Sequence, residues 1–323
     1  MKVSKVAVLR GGPSEEYNIS MKTGAGVLAA LAPTDIATRD IIVTKDNQWL
    51  IDGFVKHPEH ALYGVDVVFI ALHGAYGEDG TIQRQLDALS IPYTGTKAYA
   101  SALAMNKALT KEHVKMSGVL TPEYVRVTKS STTDPHQIAI NIGNVFGTKY
   151  FVKPVASGSS LGVSRANSVS DLGIILRDLM RDYDDLIVEE LIEGKEATVG
   201  ILENYRNQKF YDLPVIEIVP PAKSDFFSAD VKYTGETEEI CPGRFTKSEK
   251  IEMARLAQLV HKDLNLRHYS RSDFIVSEKG IYFLEVNTLP GLTDQSLFPK
   301  SVEAVGGNYT ELIEHLINQA VTY

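Results

Sequence analysis

The chain has 323 residues, a length that fits about two domains of ~150 residues, with one to three all reasonable. Folding at this length buries roughly three-quarters of the unfolded surface, so the core needs no staples. Hydrophobic residues make up 44% and charged residues 23%, which excludes a disordered, collagenous or low-complexity protein. Thirty-three Lys and Arg against 41 Asp and Glu give a net charge of −8, which argues against a nucleic-acid backbone or an anionic membrane as the main partner. The longest apolar run, residues 65–72, contains Asp66 and falls far short of the ~20 residues of a membrane span. The opening MKVSKVAVLRGG has too short an apolar stretch for a signal peptide. The single Cys241 can form no internal disulfide and no zinc cluster. A soluble cytoplasmic protein is expected.

An apolar run at 6–9, closed by Gly11 and Gly12, predicts a strand, and a helix follows from Ser20 with Val27, Leu28 and Leu31 on one face. Runs at 41–43 and 67–72 predict further buried strands. After Gly80, Ile82, Leu86 and Leu89 recur at helical spacing. This alternation predicts a parallel, doubly wound sheet over residues 1–100. A single helix over 98–116, closed by Gly118, leads into a second region, 101–191, with strands at 150–155, 162–165 and 186–191. Its helix at 171–180 turns Leu172, Ile175, Leu176 and Leu179 inward. The third region, 192–323, has strands at 196–202, 213–218, 273–277 and 281–287. There a capping box, Thr246-x-x-Glu249, starts a helix carrying Met253, Leu256, Ala257, Val260 and Leu264. The last helix carries Leu312, Ile313, Leu316 and Ile317.

Gly24-Ala25-Gly26-Val27-Leu28-Ala29 matches G-x-G-x-x-A but lies inside a helix, where small residues permit close packing rather than dinucleotide binding. No P-loop occurs. Gly158-Ser159-Ser160-Leu161-Gly162 falls between two strands, with Lys153 five residues upstream; it reads either as a phosphate cradle or as a plain glycine turn. If Glu278-Lys279-Gly280 is a three-residue hairpin loop, Ser277 pairs with Ile281, Asp273 lies opposite Glu285, and Arg271 opposite Asn287. All four side chains then share one face. Two carboxylates and an amide suit Mg²⁺ with substrate phosphates, although a solvated polar face reads equally well. A two-residue loop would separate them. The glycine loops holding Glu16 and His73-Gly-Ala-Tyr-Gly-Glu78 follow predicted parallel strands, where open α/β sheets bind ligands.

Together, GGPSEEYNIS, HGAYGEDG, KPVASGSSLGV, VEELIEGKEATV, KYTGETEEICP, and RSDF with LEVNTLPGLTDQSL closely resemble the D-alanine–D-alanine ligase family of the ATP-grasp superfamily. The resemblance implies an α/β ATP-grasp fold of three α/β domains, the first a parallel-sheet pre-ATP-grasp domain. It implies ligation of two D-alanines with ATP through a D-alanyl phosphate, for peptidoglycan synthesis. Lys107, Lys153 and Lys232 are then expected at the ATP phosphates under a loop containing Ser160, with Glu189 and the Leu191 backbone at adenine and Glu196 at the ribose. Asp273, Glu285 and Asn287 are expected to hold two Mg²⁺ ions, with Mn²⁺ as a substitute. Arg271 and the Gly291 N–H are expected at the oxyanion. Glu16 near His73 is expected at the first substrate, and Ser296 and Leu297 at the second carboxylate. Ser159 and Tyr233 would link to Glu16 and latch a lid. The resemblance further implies a homodimer, with D-alanine and ATP as small-molecule partners and neither nucleic acid nor membrane. Lys232-Tyr233 favours the dipeptide over D-Ala–D-lactate, whose ligases typically carry a His-containing lid. A D-Ala–D-Ser ligase or a non-catalytic ATP-grasp module would also fit the resemblance. Arg10 departs from the family, which more often has an apolar residue before Gly-Gly.

Overall fold

The computed structural model describes residues 3–129, 133–158, 162–221 and 237–322. Among these, β1 (Lys5–Gly11), β2 (Ala37–Val43), β3 (Trp49–Ile51), β4 (Phe54–Lys56) and β5 (Val67–Ile70) form a sheet in the order β4-β3-β2-β1-β5. Only β2, β1 and β5 run parallel; β3 and β4 add an antiparallel edge that the expected all-parallel sheet lacks. Val6, Ala7, Val8 and Leu9 are completely buried, as suits a parallel strand covered on both faces. The helix Tyr17–Leu31 packs on β1 so closely that a Cβ on Gly24 would lie 2.5 Å from the Arg10 side chain. The small-residue motif is therefore a packing surface. Arg10 itself pairs with Asp40 on β2, its Nε donating to Oδ1 at 2.7 Å, so it runs beneath the helix to a neighbouring strand. The chain's final helix, Tyr309–Ala320, returns to this same core and buries Leu312, Ile313, Leu316 and Ile317 completely.

The expected helix over 98–116 is two helices, Ala98–Met105 and Lys107–Lys115. Asn106 is extended (φ −88°, ψ 99°), and its side chain accepts the Leu109 N–H at 3.0 Å, capping the second helix. The break is anchored by Lys107 N donating to Val155 O at 2.9 Å.

A second, antiparallel sheet contains β6 (Tyr124–Thr128), β7 (Tyr150–Pro154), β8 (Ser164–Ala166) and β9 (Asp185–Glu190), in the order β6-β9-β7-β8. The helices Pro135–Phe146 and Val169–Asp182 cover one face, against Val152, Leu186 and Val188. The third sheet has β10 (Lys195–Tyr205), β11 (Gln208–Asp212), β12 (Ile216–Val219), β13 (Glu238–Ile240), β14 (Tyr269–Ser277) and β15 (Gly280–Asn287). It runs β13-β12-β10-β14-β15, with β11 also on β10. The helix Lys247–Asp263 begins with the expected capping box and buries Met253, Ala257 and Val260 completely against this sheet.

The β14–β15 hairpin reaches the expected facing by a different route. Ser277 pairs with Gly280, so the loop has two residues, not three. Phe274 lies opposite Phe283, and a bulge then leaves Leu284 unpaired, so that Asp273 meets Glu285 and Arg271 meets Asn287. The bulge absorbs the one-residue slip that the shorter loop imposes. It also brings two consecutive residues, Leu284 and Glu285, to one cleft while Phe283 and Val286 stay in the core.

Candidate active site

Between the second and third sheets lies a cleft of about 610 Å³, lined by Phe151, Lys153, Leu191, Glu196, Leu284 and Leu297 among others. Its deepest charge is Glu189 on β9, 1% exposed. Lys153 of β7 contacts Oε2 at 2.6 Å and Lys111 contacts Oε1 at 3.0 Å. Burial alone would raise this carboxyl, but the two ammonium groups outweigh it and hold Glu189 at about 2. Burial pulls Lys111 down and also opposes the charge on Lys153, yet Glu189 and Glu285 leave Lys153 raised. Leu191 has already committed its N–H to Lys149 O at 3.1 Å, leaving its carbonyl as the backbone group for a ligand.

The register of β14 and β15 assembles the acidic centre. Asp273 accepts both limbs of the Arg271 guanidinium at 3.0 Å, Asn287 Nδ2 at 3.1 Å and Thr198 Oγ1 at 2.5 Å. Burial works against the charge on Arg271, but Asp273 keeps its pKa above the ordinary value. Lys107 Nζ lies 3.1 Å from Glu285 Oε2 and donates to Ser157 O at 2.6 Å; the helix break at Asn106 is what aims it here. Among the described residues, no three His, Cys, Asp or Glu side chains converge as a protein-only metal cage. An all-oxygen pair of carboxylates plus one amide fits a hard ion that takes further oxygens from water and phosphate. Asp273, Glu285 and Asn287 are that set.

The amino-acid end adjoins it. A Cβ on Gly74 would lie 2.6 Å from Glu16 Oε2, and one on Gly158 2.9 Å from the same atom. Glu16 is thus tucked where the N-terminal loops meet the loop after β7, and glycine is required on both sides. His73 is 5% exposed, and its Nε2 contacts Thr23 Oγ1 at 2.9 Å. Its ring also hydrogen-bonds to the Leu289 carbonyl, so the imidazole expected to bind substrate is engaged by protein groups. Burial lowers its pKa. Gly291 approaches Ser296 so closely that a Cβ would meet Ser296 Oγ at 2.8 Å. Ser296 caps the helix Leu297–Ala304 in position but gives its first turn no side-chain bond, accepting the Thr293 N–H at 3.0 Å instead.

Ser159, Ser160, Lys232 and Tyr233, with the expected latch, lie outside the described residues. Sequence reasoning passed over Lys111, although a lysine four residues after Lys107 shares its helical face. It also passed over Thr198, an ordinary strand residue with no distinguishing local signal.

Two profiles of one family match the chain, D-ala D-ala ligase C-terminus over residues 113–318 and D-ala D-ala ligase N-terminus over 53–96. The D-alanine–D-alanine ligases of Geobacter sulfurreducens and Pelotomaculum thermopropionicum are 37% and 38% identical, covering 99% and 98% of this chain and 95% and 96% of those proteins. Among solved structures, the Bacillus anthracis D-alanine–D-alanine ligase complexed with ATP aligns with a TM-score of 0.81 at 27% identity, covering 100% of this chain and 98% of that one. The VanG D-Ala:D-Ser ligase of Enterococcus faecalis aligns at 0.83 and 26%, covering 99% and 100%. By sequence over its whole length and by fold, this chain belongs to the D-alanine–D-alanine ligase family.

Proposed function

We propose that this enzyme joins two D-alanines with ATP, releasing D-alanyl-D-alanine, ADP and phosphate, in the cytoplasm and for peptidoglycan synthesis. The observation that carries the reading is the junction at Lys107–Glu285 and Arg271–Asp273, where the nucleotide-sized cleft runs into the pocket around Glu16. Adenine fits between Phe151, Leu284 and the Leu191 carbonyl beside the ionised Glu189, and Glu196 faces the ribose. Lys107 and Lys153 supply positive charge for phosphates, with Lys232 and the loop containing Ser160 completing the enclosure.

In the first step, the carboxylate of one D-alanine, its ammonium paired with Glu16 near His73, attacks the γ-phosphorus. ADP leaves and an acyl phosphate forms. Asp273, Glu285 and Asn287 would hold Mg²⁺, or Mn²⁺ in its stead, two ions supplying charge neutralisation at the transferring phosphoryl group. In the second step, the neutral amine of another D-alanine, its carboxylate at Ser296 and the Leu297 N–H, attacks the acyl carbon. Arg271 and the Gly291 N–H stabilise the oxyanion, and phosphate leaves. A lid latched through Ser159, Tyr233 and Glu16 excludes water, which would otherwise hydrolyse the acyl phosphate. We assign the three sheets to three domains, 1–100, 101–191 and 192–323, and the assembly to a homodimer.

A D-Ala–D-Ser or D-Ala–D-lactate product is the second reading, and Lys232-Tyr233 in the sequence supports the dipeptide over lactate. The test is phosphate release and product mass with ATP and D-Ala, alone and against D-Ser, D-lactate and L-Ala. Phosphate release dependent on D-Ala, with D-Ala–D-Ala as the main product, is expected. A mixed product dominating with D-Ser or D-lactate overturns the second-substrate assignment, and no amino-acid-dependent release overturns the enzyme.

A further inference from the structure

Leu289 lies midway between Asn287 of the acidic centre and Gly291 of the oxyanion site, and it is 2% exposed. Its peptide groups are gripped by the N-terminal glycine loop on both sides. The His73 ring donates to the Leu289 carbonyl, and the Leu289 N–H donates to the Glu78 carboxyl. Glu78 Oε1 also accepts the Gly74 N–H at 2.8 Å, which ties the same carboxyl back to the glycine beside Glu16. The Leu289 side chain presses on Gly95, where a Cβ would lie 2.6 Å from Cδ2. Next to it, Gly95 N donates to His268 Nδ1 at 2.9 Å, and Arg267 N to Thr96 Oγ1 at 3.1 Å. The loop carrying Glu78 is itself rigid: Glu78 N donates to Gly74 O at 2.8 Å, Tyr76 N to Asp79 Oδ2 at 2.9 Å, and Gln83 Nε2 to Gly77 O at 2.6 Å.

We infer that Glu78 is a positioning residue which, with His73, clasps the Leu289 peptide and so sets Asn287 and Gly291 against the Glu16 pocket. This role rests on the proposed ligase reaction, which gives the clasp a purpose: the acyl phosphate forms on one side of the seam and its oxyanion is stabilised from the other. A shift of about an ångström there is enough to lose rate. The clasp works by hydrogen bonding, not by charge. Burial and the nearby Glu16 carboxylate push Glu78 up to about 8, so near pH 7 it is a neutral acid that accepts two main-chain N–H groups. A glutamine can do the same.

Glu78→Gln and Glu78→Ala separate this role from substrate binding. Wild type is expected to release one phosphate per dipeptide. Glu78→Ala is expected to lose kcat and to release phosphate in several-fold excess over dipeptide, because the acyl phosphate then waits for a misplaced oxyanion site and is hydrolysed. Glu78→Gln is expected to restore the coupling. A Glu78→Gln variant as impaired as Glu78→Ala, with the loss confined to KM for D-Ala, overturns the inference, since the charge would then be meeting the substrate ammonium. Hydrogen exchange of the protein without substrates tests the clasp independently of the reaction. The Leu289 amide is expected to exchange roughly tenfold faster in Glu78→Ala, the loss of about one hydrogen bond. An unchanged Leu289 rate overturns the clasp, whereas a wild type that makes no dipeptide overturns only the ligase reading.

Discussion

Two glutamates define the two ends of this site, and burial treats them in opposite ways. Glu189, in the nucleotide cleft, has an ammonium on each oxygen and is held at about 2. Glu78, at the amino-acid end, meets main-chain N–H groups and a neighbouring carboxylate and is pushed up to about 8. Desolvation is the largest single influence on both; the cations supplied by the fold decide the outcome. The nucleotide end is thus a fixed charge lattice built to meet phosphates. The amino-acid end keeps one acid neutral, so that Glu16 carries the negative charge an ammonium seeks.

The comparison breaks most visibly where the two ends join. Glu285→Gln removes charge and no volume from the acidic centre, and it also leaves Lys107 without its carboxylate partner. Turnover is expected to be abolished with the melting temperature essentially kept; near-wild-type activity at saturating Mg²⁺ would remove Glu285 from the metal set. Arg271→Lys keeps a positive charge beside Asp273 but loses the planar fork. A fall of roughly 10²-fold in kcat is expected, as for loss of one oxyanion donor. A change in KM alone would make Arg271 a binding group only.

Lys111→Met sharpens the nucleotide side of the comparison. It leaves half of the Glu189 carboxylate facing apolar surroundings, and breaking such a buried pair costs about 3 kcal/mol or more. Denaturant unfolding should record that loss, with KM for ATP rising more than KM for D-Ala. Equal stability would mean that Lys153 alone suffices to hold Glu189.

The smallest effect is a slope. Glu189 has its ordinary value of 4.5 when unfolded and a lower one when folded, so its contribution to stability is present above pH 4.5 and lost as pH falls toward 2. Glu78 has a raised folded value, so its contribution is full below pH 4.5 and lost as pH rises through 8. Glu78→Gln cannot ionise and should flatten the decline in stability between those two pH values, read by melting at each. An unaltered slope would show that Glu78 does not titrate there.

How much of this was legible depended on the range of the forces involved. The capping box at Thr246 and the buried stripe from Met253 to Val260 depend on residues within a few positions, and both stand as read. The facing of Asp273 and Glu285 was anticipated, but through a loop that is one residue too long; the bulge at Leu284 that restores it depends on packing Phe283 against Phe274 across the pair. Asn106 interrupts a run whose composition favours one helix, because Lys107 N finds Val155 O nearly fifty residues away in sequence. Lys111 looks like any surface lysine until β9 brings Glu189 over it. The last helix was legible as a helix, but nothing local announces that it completes the core of the first sheet.

Labelled oxygen tests the central claim, phosphoryl transfer to a D-alanine carboxylate followed by amine attack on the same carbon. With ¹⁸O in both carboxylate oxygens of D-alanine, the released phosphate should carry one label from the first substrate, and the new peptide carbonyl should keep the other. Phosphate free of ¹⁸O would contradict the acyl phosphate and, with it, the roles assigned to Arg271, Gly291 and the acidic centre.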